Sequence, residues 1–170
     1  MIFFSDMDGT FLTTKKTVSE TSRRALDAIA EAGLEFVPCT GRALTGIPSD
    51  VLEHPAVHYA VSSNGAAVYR LGPAGSRLEG AERIRLVPLS REAAHAVWGI
   101  ARTHDVTFDI FADNRSFLRR DLYDRLEDFV DDPHTRASMR AGRTPVDEEP
   151  DETIERVRDL ERLAMYWHDP

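Results

Sequence analysis

Two aspartates spaced i, i+2, Asp6 and Asp8, close the short apolar run Ile2-Phe3-Phe4-Ser5 and are followed at once by Gly9-Thr10. An aspartate with an ordinary pKa of about 3.9 is ionised at neutral pH and can attack phosphorus without a base to activate it. Its handicap is charge, because a phosphate monoester is itself an anion. A hard divalent cation relieves that repulsion, and Mg2+ favours one or two carboxylates together with substrate phosphate and water. The second aspartate can protonate the leaving oxygen and later deprotonate the attacking water. Gly9 lets the backbone approach a phosphoryl group, the N–H groups of the turn can line it, and Thr10 and Thr40 offer hydroxyl donors. Together these residues describe phosphoryl transfer through an aspartyl-phosphate. An isolated Asp-x-Asp would read equally well as a turn with capping carboxylates.

The elements around these residues place them. The apolar run is a strand that stops at the carboxylates. Ser19 is the expected N-cap of a helix with Ala25, Leu26, Ile29 and Ala32 on one face and Gly33 as its stop. Residues 34–38 read as a second strand, so strand, helix and strand follow in about 35 residues, a βαβ unit that imposes a parallel sheet. The second strand runs into Cys39-Thr40-Gly41-Arg42, then a short helical stretch over 44–52. A third strand, 58–62, runs into Ser63-Asn64-Gly65-Ala66. Ligands of open parallel sheets gather beyond the carboxyl ends of the strands, so Asp6, Asp8, Thr40 and Arg42 are expected to face one crevice.

Residues 67–70 and 83–86 are expected to pair as antiparallel strands, with a module boundary near Val87-Pro88. Beyond it, Ser90 caps a helix whose Ala94, Val97, Trp98 and Ala101 repeat at the spacing of a buried face. Strands over 106–111 and 116–119 and a helix carrying Leu122, Leu126, Phe129 and Val130 follow. Residues 131–152 show almost no periodicity and read as a loop or mobile segment. The acidic run Asp147 to Glu152 within it reads as a solvated linker. A helix around Ile154, Val157 and Leu160 then leads to a last strand, 163–167.

The 170 residues carry a formal charge of −8 and no basic run, which argues against a nucleic-acid or membrane-surface binder. Residues 1–88 hold 9 Lys and Arg against 10 Asp and Glu, and residues 89–170 hold 12 against 19, so the halves read as different modules. A single cysteine, Cys39, cannot form an internal disulfide, and with no signal peptide or long apolar span the expectation is a cytoplasmic protein. At the end of an apolar strand Cys39 reads as a packing residue rather than a nucleophile. The six histidines show no metal-ligand spacing.

Asp6-Met7-Asp8-Gly9-Thr10-Phe11-Leu12 resembles the first motif, DxDGTxx, of the haloacid dehalogenase-like (HAD) phosphatases. Cys39-Thr40-Gly41-Arg42 after its apolar run resembles their second motif, and Ser63-Asn64-Gly65-Ala66 a loop of the Cof-like, subfamily IIB members. The resemblance implies an α/β fold: a Rossmann-like parallel-sheet core, here incomplete and covering 1–88, with an inserted α/β cap, also incomplete, over 89–170. It implies Asp6 as nucleophile and Mg2+ ligand, Asp8 as general acid/base with its backbone carbonyl on the metal, and Thr40 as donor to the phosphoryl group. Gly9, Thr10, Gly41, Arg42 and Asn64 would line the phosphate, with a surface ion pair as the alternative role for Arg42. Only about 30 residues separate the first two motifs, too few for a cap inserted directly after the first, which disfavours a β-phosphoglucomutase-like arrangement.

The family pattern continues with a lysine and then a Gly-Asp pair. The chain has two lysines, Lys15 and Lys16, neither placed as the third-motif lysine, and no Gly-Asp after residue 42. Losing a charge-stabilising group at such a site costs about 10²–10³ in rate, by analogy with an oxyanion-hole donor. The expectation is therefore a Mg2+-dependent phosphatase of small phosphorylated metabolites such as sugar phosphates, present as an inactive or weak N-terminal portion. A phosphomutase of the same superfamily, or a non-catalytic remnant that binds phosphate or protein, is the alternative. A core short of strands would also leave sheet edges unpaired.

Overall fold

The computed structural model describes residues 1–167. Its contacts divide the chain into two units, Met1–Val87 and the part from Pro88 onward. In the first unit β1 (Ile2–Asp6), α1 (Glu20–Glu31), β2 (Glu35–Cys39), α2 (Ser49–Leu52), β3 (Tyr59–Ser62), β4 (Ala67–Arg70) and β5 (Glu82–Leu86) follow in order. The strands form one sheet, β1-β2-β3-β4-β5. The first three run parallel, β4 returns antiparallel to β3, and β5 is antiparallel to β4, so it runs in the direction of the first three.

The βαβ unit forms for the local reasons visible in the chain. The Ser19 hydroxyl accepts from the Ser22 N–H at 3.0 Å and satisfies one of the orphan donors at the start of α1. Gly33, at φ +64°, supplies the left-handed residue that ends the helix. Asp6 pairs with Cys39 and Cys39 with Val61, so the carboxyl ends of the three parallel strands lie level. Residues 44–52 do not form one helix. Pro48, with no N–H to continue the hydrogen-bonding pattern, separates a 3-10 turn at Leu44–Gly46 from the single turn of α2.

The core of this unit contains Met7, Leu26, Phe36, Leu44, Val51 and Tyr69, with the Phe11 and Phe36 rings 4.9 Å apart. The strand that carries Asp6 is at the edge of this sheet, and Phe3 and Phe4 are 41% and 66% exposed. Such an edge presents unpaired backbone donors and acceptors beside apolar side chains.

The second unit contains α3 (Arg91–Ala101), β6 (Asp109–Ala112), β7 (Arg115–Arg119), α4 (Arg120–Asp124), α5 (Pro133–Gly142), β8 (Arg143–Val146), α6 (Pro150–Arg156) and β9 (Leu160–Ala164). Its sheet has the order β8-β7-β6-β9. Phe117 and Leu118 are successive on β7 and join different apolar clusters, so both faces of the sheet are covered. One cluster packs Trp98 and Ala94 of α3 with Ile154 of α6, and the other contains Leu122, Leu126, Phe129 and Met139.

Residues 131–152 are ordered elements, not a loop. Asp132 caps α5 by accepting from Thr135 N–H at 2.6 Å, Pro133 fits its first turn, and β8 pairs in parallel with β7. The periodicity fails because α5 fully buries only Met139. The acidic run is likewise no free linker. Glu149 and Glu152 form the capping box of α6, Asp147 pairs with Arg120 at 2.5 Å, and Glu149 with Arg119 at 2.8 Å. Further along, α6 stops at Arg156, and the final strand is Leu160–Ala164 rather than 163–167, with Trp167 only in an isolated bridge to Val106. The helix expected over 122–130 divides into α4 and a 3-10 turn at Leu126–Asp128, and β6 begins at Asp109 rather than Val106.

Candidate active site

Strand periodicity explains the i, i+2 spacing of the carboxylates. Met7 is fully buried in the core, which sends its two neighbours to the opposite, open side. The carbonyl of Met7 accepts from the N–H groups of Phe11 at 3.2 Å and Leu12 at 2.8 Å, so the chain turns back immediately after the strand. Gly9 sits in that turn at φ +82°, a conformation that costs an L side chain strain. The turn places the Thr10 hydroxyl 3.0 Å from Asp6 Oδ2, to which it donates.

The ends of β2 and β3 are knitted together beside it. Thr40 N–H donates to Val61 O at 2.9 Å, Asn64 N–H to Thr40 O at 3.0 Å, and Ser63 N–H to Arg42 O at 2.9 Å. The Thr40 hydroxyl oxygen accepts from Arg42 N–H at 3.2 Å, and its residue is 5% exposed. Ser63, Asn64 and Gly65 take positive φ in succession, at 51°, 58° and 92°.

A cavity of about 320 Å³ opens between these ends, lined by Asp6, Cys39, Thr40, Gly41, Val61, Asn64 and Gly65. Four residues expected from the sequence, Asp6, Thr40, Gly41 and Asn64, therefore share one concave site. Thr10 reaches it through its bond to Asp6. Burial, aided by the charge of Asp6, pushes the Cys39 thiol up, so its thiolate is disfavoured.

Asp8 and Arg42 are not in the lining but are bound to each other. The Arg42 guanidinium donates from Nε to Asp8 Oδ2 and from Nη2 to Oδ1, both at 2.8 Å, and its Nη1 donates to Gly46 O at 2.9 Å. Lys16 Nζ lies 3.0 Å from the same Oδ1. The Arg42 hydrogen bonds, with those from Lys16, hold the Asp8 carboxyl down at about 2, against its partial burial. Lys16 is the member of this ion cluster that the sequence pattern misses, because it belongs to no motif. A small hairpin delivers it: Lys16 N–H donates to Thr13 O and Thr13 N–H to Thr17 O, both at 2.9 Å, with Lys16 itself at φ 62°.

Among the described residues no three His, Cys, Asp or Glu side chains are grouped to hold a metal. Asp6 offers a hard carboxylate at the cavity wall, which suits a cation that takes few protein ligands and keeps water and phosphate as the rest. The Asp8 carboxylate is engaged by Arg42 and Lys16, leaving its main-chain oxygen as the second donor from this motif.

The model of the haloacid dehalogenase-like hydrolase family matches residues 3–163. The chain belongs to this family. It resembles the solved structure of a haloacid dehalogenase-like hydrolase from B. subtilis at a TM-score of 0.66 and 19% identity, covering 94% of this chain and 58% of that one. A second is BT1666 from Bacteroides thetaiotaomicron, described among HAD superfamily phosphatases (TM-score 0.63, 21% identity, 94% and 53% covered). A third is BT4131, described as a HAD subclass IIB sugar phosphatase (TM-score 0.63, 18% identity, 94% and 55% covered). At these identities the likeness is one of fold, and it is the α/β, Rossmann-like, Cof-type fold that the motifs imply. The chain spans a little over half the length of these relatives. No curated protein sequence matches it. No described helix is long and apolar enough to cross a membrane.

Proposed function

We propose that the chain is part of a Mg2+-dependent phosphomonoester hydrolase that acts on small phosphorylated metabolites, such as sugar phosphates, through an aspartyl-phosphate on Asp6. The observation that carries this reading is the Asp6 carboxylate at the wall of a cavity it shares with the buried Thr40 and the backbone of Gly41, Asn64 and Gly65. Asp6 is the attacking group, oriented by the Thr10 hydroxyl. Thr40 donates to a phosphoryl oxygen, Gly9 and Gly41 let backbone approach it with no side chain in the way, and Asn64 lines the same cavity. When bound, Mg2+ held by the Asp6 carboxylate and the Asp8 carbonyl would neutralise charge between nucleophile and phosphate. Asp8 serves as acid to the leaving oxygen and base to the water. The second unit, from Pro88 onward, is read as part of a cap that sets substrate choice.

Phosphate release from a panel of phosphomonoesters with and without Mg2+, on this chain and on a longer chain if the reading frame continues, tests the proposal. Activity abolished by Asp6→Asn supports it. No release by either chain, or release unchanged by that substitution, refutes it.

A further inference from the structure

We propose that Arg42 and Lys16 form a phosphate seat which the Asp8 carboxylate occupies in the unliganded chain, and that an incoming phosphoryl group takes the seat by displacing Asp8. The inference rests on the phosphoryl-transfer reading of the site and adds to it a residue, Lys16, and an exchange of anions.

The geometry is that of a receptor for a planar or tetrahedral oxyanion. Arg42 presents Nε and Nη2 as a parallel fork, both at 2.8 Å from one carboxylate. This two-pronged arrangement suits phosphate as well as carboxylate. The third nitrogen is tied to Gly46 O at 2.9 Å, so the fork is held in place whatever occupies it. Lys16 adds a compact positive charge 3.0 Å from the occupant. The side chains of Arg42 and Lys16 are only 18% and 24% exposed, that of Asp8 35%, so the occupant is the more open partner. Two cations facing a single carboxylate leave one positive charge in excess, which a phosphate dianion would balance.

The same contacts explain why Asp8 cannot serve as an acid in the state seen here. Both its oxygens accept hydrogen bonds from cations, and none is free to take up and pass on a proton. Displacement by the phosphoryl group would release Asp8 at the moment the substrate arrives. No covalent step is involved in the exchange.

A ligand that must displace an internal competitor shows an affinity reduced by the fraction of time the seat is open. If Asp8 fills the seat about nine-tenths of the time, emptying it strengthens phosphate binding roughly tenfold. The experiment is a titration of the whole chain with inorganic phosphate in chelator-containing buffer at neutral pH, followed by calorimetry and by the 15N signals of the Arg42 side chain. Asp8→Asn is expected to tighten phosphate binding by several-fold to about tenfold. Lys16→Ala is expected to weaken it several-fold, and Arg42→Lys, which keeps charge but loses the fork, about tenfold. Binding unchanged or weakened by Asp8→Asn, or unaffected by both cation substitutions, overturns the proposal, as does an Arg42 signal that phosphate never moves. Thermal unfolding of each variant shows that it remains folded. Because the titration needs neither metal nor turnover, its failure leaves the nucleophilic role of Asp6 standing, and failure of that role leaves the titration interpretable.

Discussion

The ion cluster at Asp8 makes a quantitative prediction about acid. Arg42 and Lys16 lower the Asp8 carboxyl from its ordinary 3.8 to about 2. At 1.36 kcal/mol per pKa unit the full drop corresponds to roughly 2.4 kcal/mol. The side chain is 35% exposed, and solvent screening reduces the stabilising contribution to about 1 kcal/mol. Because the folded-state value lies below the unfolded one, this stability is present above pH 3.8 and is lost as pH falls through about 2. The direct assay is a carbon-detected NMR titration of the Asp8 carboxyl. The expected midpoint is about 2, and it moves most of the way back towards 3.8 in Arg42→Ala and by a smaller amount in Lys16→Ala. A wild-type midpoint near 3.8, or a larger change from Lys16→Ala than from Arg42→Ala, would refute the reasoning.

Other elements give further expectations. Asp109 is fully buried and ion-paired to Arg143 at 2.5 Å, with Thr107 also donating to it, and burial pushes its carboxyl up. Arg143→Met strands that charge and should cost about 3–5 kcal/mol at neutral pH, read by urea unfolding followed through tryptophan fluorescence. Mild acidification, by neutralising Asp109, should recover part of the loss. His95 of α3 bonds Glu155 at 2.6 Å and Asp151 at 2.8 Å on α6, and these partners, Glu155 first, raise its pKa. Its contribution is present below the ordinary value of about 6.5 and is lost as pH rises through the higher folded value. Amide protection factors in α3 and α6, which take out the intrinsic base-catalysed rise of exchange with pH, should fall over that rise in the wild type and stay level in His95→Gln.

Much of the candidate site is legible because its residues follow strand ends, where an apolar run and a small polar turn are both local signals. Asp6 and Thr40 follow from that rule, Asn64 from the resemblance of its loop, and the caps Ser19 and Ser90 from their own signals. Lys16 was not, since a four-residue hairpin brings it to Asp8 and nothing in residue spacing announces that reach. The pairing of Asp8 with Arg42 spans 34 positions and shows in the sequence only as a shared crevice and as the ion-pair alternative for Arg42, without its partner. In the second unit, α5 and β8 escaped the reading because arginines dominate their surfaces. Arg136 and Arg140 bond backbone carbonyls, while Arg143 bonds the buried Asp109, so order there comes from polar contacts rather than an apolar stripe. The acidic run is solvated, as expected, but it is part of an ordered helix start and not a linker, and its arginine partners Arg119 and Arg120 lie far away in the chain.

The central claim is that Asp6 is the group that becomes phosphorylated. Incubation with Mg2+ and a small acyl phosphate donor, acid quenching and borohydride reduction would convert an aspartyl-phosphate to homoserine, located by mass spectrometry of the peptide containing residues 1–15. Homoserine at position 6, absent without Mg2+ and absent in Asp6→Asn, is the predicted result. Modification at Asp8 or Cys39 instead, or none at Asp6 in a folded chain under conditions where phosphate is released, would contradict it.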